Sequence, residues 1–301
     1  MGNTDVTERL RKLEIPGRTT FATGNGGLPK INITTPRSAA EIYLHGAHVT
    51  HFQKTGERPL LFLSARSQFV PGQSIRGGVP ICFPWFGPRE NAGVHGFARI
   101  TAWSLEATAS LPDGGVTLRF RLPPTDAGSA WPPFDAAFAV TVTDRLTMEL
   151  ATANRSPDRP LEFENCLHTY FAVGDISAVS LAGLETKLFD DFAHGAGGVR
   201  KEGDPSPLRI TQETNRVYFD HAGAVEIHDD VLRRTIRVVK ENSSSTVVWN
   251  PWTTQKLPDD FDPAEYRRMV CVESGNVKQN KLMLPPGQTI TLKVVLSSQP
   301  F

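Results

Sequence analysis

The sequence predicts an all-β sandwich, and three observations carry the prediction. Short stretches with apolar residues at every second position recur along the whole 301-residue chain, as half-buried strands require. Gly, Pro, Asn or Asp punctuates most of them, and these are the residues that turns demand. Windows of helical spacing are few, which leaves sheets to bury one another. A chain of this length can bury a substantial core without disulfides or metals.

In chain order, residues 1–15 could hold one or two helix turns, because Val6, Leu10 and Leu13 fall near helical spacing. A Gly/Pro-rich connection follows at 24–29, and residues 1–25 are expected to be a loosely packed N-terminal extension. Ile31, Ile33 and Thr35 then alternate, as do Ile42 and Leu44, and after the Gly46 break Ala47, Val49 and His51. Leu60–Leu63 is a short apolar run. Strands are expected at 100–108, 116–122, 137–143 and 146–153, with Asp113-Gly114 as a hairpin turn. Residues 123–135, rich in Pro and Gly, read as a loop. Further short strands are expected at 161–172, 177–182, 185–189, 208–212, 224–229, 233–239, 245–249, 269–273 and 290–297. Residues 193–207 and 251–266 read as surface loops. No repeat, low-complexity tract or linker divides the chain, so one domain over 1–301 is expected.

Lys plus Arg number 32 and Asp plus Glu number 32, so no bulk field attracts nucleic acid or an anionic membrane. Any anion must be held locally. Cys82, Cys166 and Cys271 are odd in number, widely spaced and set among apolar residues, which argues against a disulfide framework or a zinc knuckle. Met1–Pro16 has no apolar run of a signal peptide, and Val6 stands where a myristoylation signal wants Ser or Thr. No apolar run approaches membrane-spanning length. A cytoplasmic protein is the expectation.

The stretch Arg76–Arg99 is the least regular of the chain. Pro80, Pro84 and Pro88 and five glycines keep it from being a helix or a central strand. Phe83, Trp85, Phe86 and Phe97 can anchor it, and it carries Arg76, Arg89, His95 and Arg99. A long ordered loop that holds cations at set positions is more often functional than not, although an aromatic plug over one end of a sandwich has the same composition.

Two other segments carry chemistry. On a strand at 161–171, Cys166, His168 and Tyr170 share one face and Leu167 and Phe171 the other. A histidine there can be a hydrogen-bonded core residue or a catalyst. Met269–Val277 places Glu273 at the end of an apolar strand, where a carboxylate is costly unless paired or functional. Burial would raise its pKa toward that of a useful general base. Trp249 and Trp252 offer flat faces suited to sugar C–H surfaces or to packing. His45, His48 and His51 have a metal-like spacing, but on a strand His48 faces away from the other two. Asp259–Asp262 lacks the Gly and terminal Glu of a calcium loop and reads as a solvated loop. Gly24–Gly27 fails the dinucleotide fingerprint and reads as a turn.

Six blocks taken together identify a family. Arg-Gly-Gly-Val-Pro-Ile-Cys-Phe-Pro-Trp-Phe-Gly from Arg76, His-Gly-Phe-Ala-Arg from His95 and Leu-His-Thr-Tyr-Phe from Leu167 come first. Gln-Glu-Thr-Asn-Arg-Val-Tyr from Gln212, Val-Val-Trp-Asn-Pro-Trp from Val247 and Val-Cys-Val-Glu-Ser-Gly-Asn-Val from Val270 follow. In this order, within residues 40–297, they resemble the glucose-6-phosphate 1-epimerase (hexose-6-phosphate mutarotase) branch of the aldose 1-epimerase family. The resemblance implies a galactose-mutarotase-like β-supersandwich and an isomerase that exchanges the α and β anomers of a hexose 6-phosphate. By the same resemblance Glu273 takes the proton of the anomeric hydroxyl while His168 protonates the ring oxygen. Arg76 and Arg99 match positions that bind the substrate and its phosphate, with His95 and Gln73 as further candidates for that pocket. Asn215 stands where relatives usually carry an Asp that contacts the sugar, which removes a charge while keeping an acceptor. No metal or other cofactor, no nucleic acid and no membrane is implied, and such proteins are often monomeric. Two rival readings remain open: a mutarotase for an unphosphorylated aldose, and a carbohydrate-binding sandwich without turnover.

Overall fold

Alternation along each strand decides which residues meet. The computed structural model describes residues 10–195, 197–203 and 205–301. Its largest sheet has nine strands. In spatial order these are Leu208–Arg209, Val179–Ala182, Val225–Asp229, Arg234–Glu241, Thr289–Pro300, Leu146–Asn154, Phe134–Val142, Val116–Arg121 and Ser104–Ser110. Val116, Leu118 and Phe120, with Phe138, Val140, Met148 and Leu150, point to one face and are buried in the main core. Residues between them are partly or fully exposed. That period of two is the pattern a sheet with one covered face needs. The Ser104–Ser110 and Val116–Arg121 pair is closed by the turn at Asp113-Gly114, as expected.

An eight-stranded sheet covers that core. Its path is Val199–Glu202, Leu188–Asp191, Thr214–Phe219, Ser245–Asn250, Met269–Asn276, Asn165–Leu167 and Ile81–Cys82, and Tyr170–Ala172 also pairs with Met269–Asn276. Leu167, Phe171, Tyr218, Val248, Val270 and Val272 face inward to the main core. The alternate residues Cys166, Tyr170, Val217, Val247 and Cys271 form smaller clusters on the outer face. Every residue of Met269–Asn276 is buried, because core lies on one side of it and loops on the other. A four-stranded sheet, Thr19–Thr23, Pro29–Thr34, Ser38–Tyr43 and His48–Lys54, adds Ile31, Ile33, Ile42 and Val49 to the same core.

Several local expectations change. The segment 161–172 is not one strand but three, Leu161–Phe163, Asn165–Leu167 and Tyr170–Ala172. A tight turn in which the Thr169 N–H donates to the Leu167 carbonyl at 3.0 Å interrupts it beside His168. The face assignment survives, since Cys166 and Tyr170 lie outward and Leu167 and Phe171 inward. The loop expected at 193–207 contains an exposed edge strand, Val199–Glu202, paired to Leu188–Asp191. Thr214–Phe219 is a strand that its polar start concealed. From Leu10 onward the N-terminal segment is not loose: Leu10 is buried in the core and Thr19–Thr23 pairs with Pro29–Thr34. The helical expectation at 1–9 lies outside the described residues. Among the described residues no helix is long and apolar enough to cross a membrane.

Candidate active site

The outer face of the eight-stranded sheet is the floor of a cavity of about 540 Å³. Its walls come from residues 74–99 on one side and 255–261 on the other. Period two along Met269–Asn276 sends Val270 and Val272 to the core and therefore Glu273 to this floor, where it is 1% exposed. His168, from the interrupted strand opposite, brings Nε2 to 3.3 Å from Glu273 Oε1. Its backbone N–H donates to the Pro80 carbonyl at 3.0 Å, and its ring stacks on Tyr170 with centroids 4.7 Å apart. Trp249, from the next strand, closes the aromatic corner with its ring 6.0 Å from Tyr170.

Burial acts on both members of this pair in the direction of neutrality. It lowers the His168 pKa to about 3, helped by the positive field of Arg99, and raises Glu273 well above the usual carboxylate range. A hydrogen bond from the Cys166 thiol to Glu273 Oε2, at 3.6 Å, and Arg99 oppose the rise without cancelling it. The neutral pair, carboxyl beside imidazole, and the ionic pair, carboxylate beside imidazolium, differ by one proton moved across a 3.3 Å contact. Such a pair can pass a proton without recruiting water.

The irregular stretch Arg76–Arg99 holds the cations over this floor. Gly96, at φ +74°, lets the chain pass within contact of Phe83, whose carbonyl oxygen would lie 1.9 Å from a Cβ there. Phe83, Trp85 and Phe97 are buried as anchors, and the ring of Trp85 lies parallel to Trp131 at 5.6 Å. His48 braces the start of this stretch and His45 the residues just before it, donating through Nε2 to the carbonyls of Gly77 and Gln73, each at 2.7 Å. Their spacing in sequence therefore serves the backbone. The Arg76 Nε contacts both carboxylate oxygens of Asp260 at 3.0 Å. Asp260, expected in a solvated loop, is buried because it offsets this guanidinium. Arg99 donates to the Val94 carbonyl at 2.8 Å, while its Nε is buried with no hydrogen-bond partner among the described residues. His95, at φ +62°, accepts the Gly87 N–H on Nδ1 at 3.0 Å, which leaves the proton of its neutral ring on Nε2. Burial first, then Arg99, His168, Lys278 and Arg76, hold it well below its usual pKa.

Of the residues singled out in the sequence, His168, Glu273, Arg76, Arg99, His95 and Asn215 all line the cavity. Gln73 does not: it is exposed, its backbone carbonyl is taken by His45, and Ser74 lines the wall instead. Lys256, Lys278, Gln255 and Phe192 also line it and were not anticipated. Lys278 follows the Glu273 strand and lies 4.4 Å from the ring of Phe192. Its position just beyond the strand end was a usable signal, whereas Lys256 sat in a stretch that resembled solvated loop. The ligand atoms of His168, Cys271 and Glu273 lie within 4.8 Å of one another, the one group among the described residues with metal-like spacing. Burial raises both the Cys271 thiol and the Glu273 carboxyl, so two of the three donors keep protons that an ion would have to displace.

A sheet-floored cavity with a buried Glu–His pair and a rim of cations thus sits on this β-sandwich. The family model for aldose 1-epimerase matches residues 29–297. The chain therefore belongs to the aldose 1-epimerase family. It is 34% identical over 285 residues to a Cenchrus ciliaris protein named "Putative glucose-6-phosphate 1-epimerase", covering 91% of this chain and 86% of that one. A Salmonella typhimurium protein of the same name is 35% identical over 258 residues, with 82% and 83% covered. The crystal structure of a "putative mutarotase" from Salmonella typhimurium superposes with a TM-score of 0.87 at 28% identity, covering 98% of this chain and 99% of that one. A galactose 1-epimerase from Lactobacillus acidophilus, at 12% identity and a TM-score of 0.73 over 94% of this chain and 99% of that one, shares the fold.

Proposed function

We propose that the chain interconverts the α and β anomers of a hexose 6-phosphate, glucose 6-phosphate first among them. The observation that carries this reading is the Glu273–His168 contact of 3.3 Å on the floor of a cavity that also presents Arg76, Arg99 and Lys278. Glu273 as carboxylate takes the proton of the anomeric hydroxyl. The O1 electron pair forms the C1=O1 bond, the C1–O5 bond breaks, and O5 takes a proton from the His168 imidazolium. After rotation about C1–C2, O5 attacks the other face of C1. His168 then recovers the O5 proton and Glu273 returns one to O1, so the cycle balances without an added reagent. Each positioned acid–base group contributes about 10²–10⁴-fold.

The cations and the depressed pKa of His168 are physically linked. In the free protein, burial and Arg99 hold His168 neutral. A phosphate dianion paired with the guanidiniums cancels part of that positive field and favours the imidazolium on which the mechanism depends. The 6-phosphate thus acts in the chemical step as well as in binding. Asn215 lines the same cavity and supplies a neutral acceptor and donors to the sugar.

The test is anomer exchange by NMR on glucose 6-phosphate and on glucose at equal concentration. Exchange accelerated for the phosphate alone supports the reading. Equal acceleration of glucose would assign Arg76 and Arg99 to loop bracing and make the chain a general aldose mutarotase. Sugar binding without acceleration of either would make it a non-catalytic sandwich.

A further inference from the structure

We propose that the Cys166 thiol is a positioning residue for Glu273, donating its S–H to Oε2 so that Oε1 is the oxygen presented to His168 and to the substrate. This rests on the acid–base role proposed above for Glu273. The carboxyl group is divided between two partners, with Sγ 3.6 Å from Oε2 and the His168 Nε2 3.3 Å from Oε1. One oxygen is held, and the other is left to act.

The backbone is built for this contact. Cys166 pairs opposite Gly275, two residues beyond Glu273 on the same strand face. A Cβ at position 275 would lie 2.2 Å from the Asn165 carbonyl oxygen and 2.8 Å from the Cys166 Cβ. Gly275 therefore lets Asn165–Leu167 close in, and the Cys166 side chain can reach diagonally to residue 273. Around the thiol lie Cys82, Val217, Phe219, Val247 and Val277. In such surroundings a thiol suits both demands: it packs as an apolar group and still offers a weak donor. A weak donor fixes the carboxylate without stabilising the anion so far that it stops being a base.

The groups that face Glu273 from the packed elements are His168 and Tyr170 opposite, Arg99 in the overlying loop, Cys82 on the edge strand and Cys271 on its own strand. None of these changes in the variants that test the proposal. In Cys166→Ala the carboxylate loses a donor, so its anion is less favoured. The expected result is a kcat about 3–10-fold lower with KM unchanged, and an alkaline limb of the pH–rate profile about half to one unit higher. Cys166→Ser restores a donor and brings both quantities back toward wild type, despite placing a hydroxyl in an apolar cluster. A packing role predicts the reverse order, with Ala tolerated, Ser damaging and neither limb moved. That result overturns the proposal.

A second measurement does not depend on turnover. The infrared S–H stretching band removed by Cys166→Ala should lie below the free-thiol frequency and move back up in Glu273→Gln, whose amide is a weaker acceptor. A band at the free-thiol frequency in wild type overturns the hydrogen bond itself. If wild type fails to accelerate anomer exchange while the shifted band is present, the proposed function fails and the contact stands.

Discussion

A carboxyl group with one oxygen on an imidazole and the other on a thiol does not titrate alone. Glu273 and His168 share one proton in their working state, so activity should follow a bell whose limbs belong to the pair. The acid limb, where the pair gains a second proton, is displaced below the ordinary histidine value of 6.5, because burial lowers His168. The alkaline limb, where the shared proton leaves, is displaced above the ordinary carboxylate range, because burial raises Glu273. The pH dependence of kcat/KM on glucose 6-phosphate checks both directions. The same shift has a cost in stability. A folded carboxyl with a raised pKa binds more protons than the unfolded chain, so its contribution falls as pH rises from 4.5 through the folded value. Glu273→Gln should therefore melt at a higher temperature than wild type near neutral pH, with the gain vanishing below pH 4.5. The depressed histidines act oppositely: His48 and His168, both lowered to about 3, withdraw stability as pH falls below 6.5.

At the scale of the elements, the Met269–Asn276 strand places both the core and the chemistry, and its order depends on the strands beside it. Phe171, on the paired Tyr170–Ala172 strand, is fully buried in the main core. Phe171→Ala should cost about 3–5 kcal/mol in urea unfolding and loosen the neighbouring His168 as well. The loop walls depend on long-range ties. Glu265 accepts from Ser64 Oγ at 2.6 Å and from the Ala65 N–H at 3.0 Å, and Asp260 clamps Arg76. Asp260→Asn leaves that guanidinium without its carboxylate and should raise KM for glucose 6-phosphate several-fold more than KM for glucose, as steady-state curves would show. The ties explain what the sequence concealed. Period two in stretches such as Val116–Arg121 or Phe134–Val142 reports burial directly, so the strands of the large sheet were legible. In Thr214–Phe219 Asn215 and Val217 line the cavity while Arg216, on the other face, lies 4.4 Å from the Phe189 ring, so polar residues fall on both faces of the strand start and remove the alternation that announces a strand. The burial of Asp260 depended on a residue 184 positions away, which no local pattern records.

Across the whole molecule, equal numbers of acidic and basic residues give no field that gathers anions from a distance. Any preference for a phosphorylated sugar must arise inside the cavity, where Arg76, Arg99, Lys256 and Lys278 line the walls around Glu273. The two arginines and the Glu–His pair were legible through a resemblance spread over six blocks; the two lysines were not. The pair itself is the central claim, and two-dimensional exchange NMR on glucose 6-phosphate tests it most directly by comparing wild type with Glu273→Gln at matched protein concentration and confirmed sugar binding. Wild type should accelerate exchange strongly, and the variant should be slower by about 10²–10⁴-fold with binding retained. Undiminished exchange in Glu273→Gln would contradict the claim.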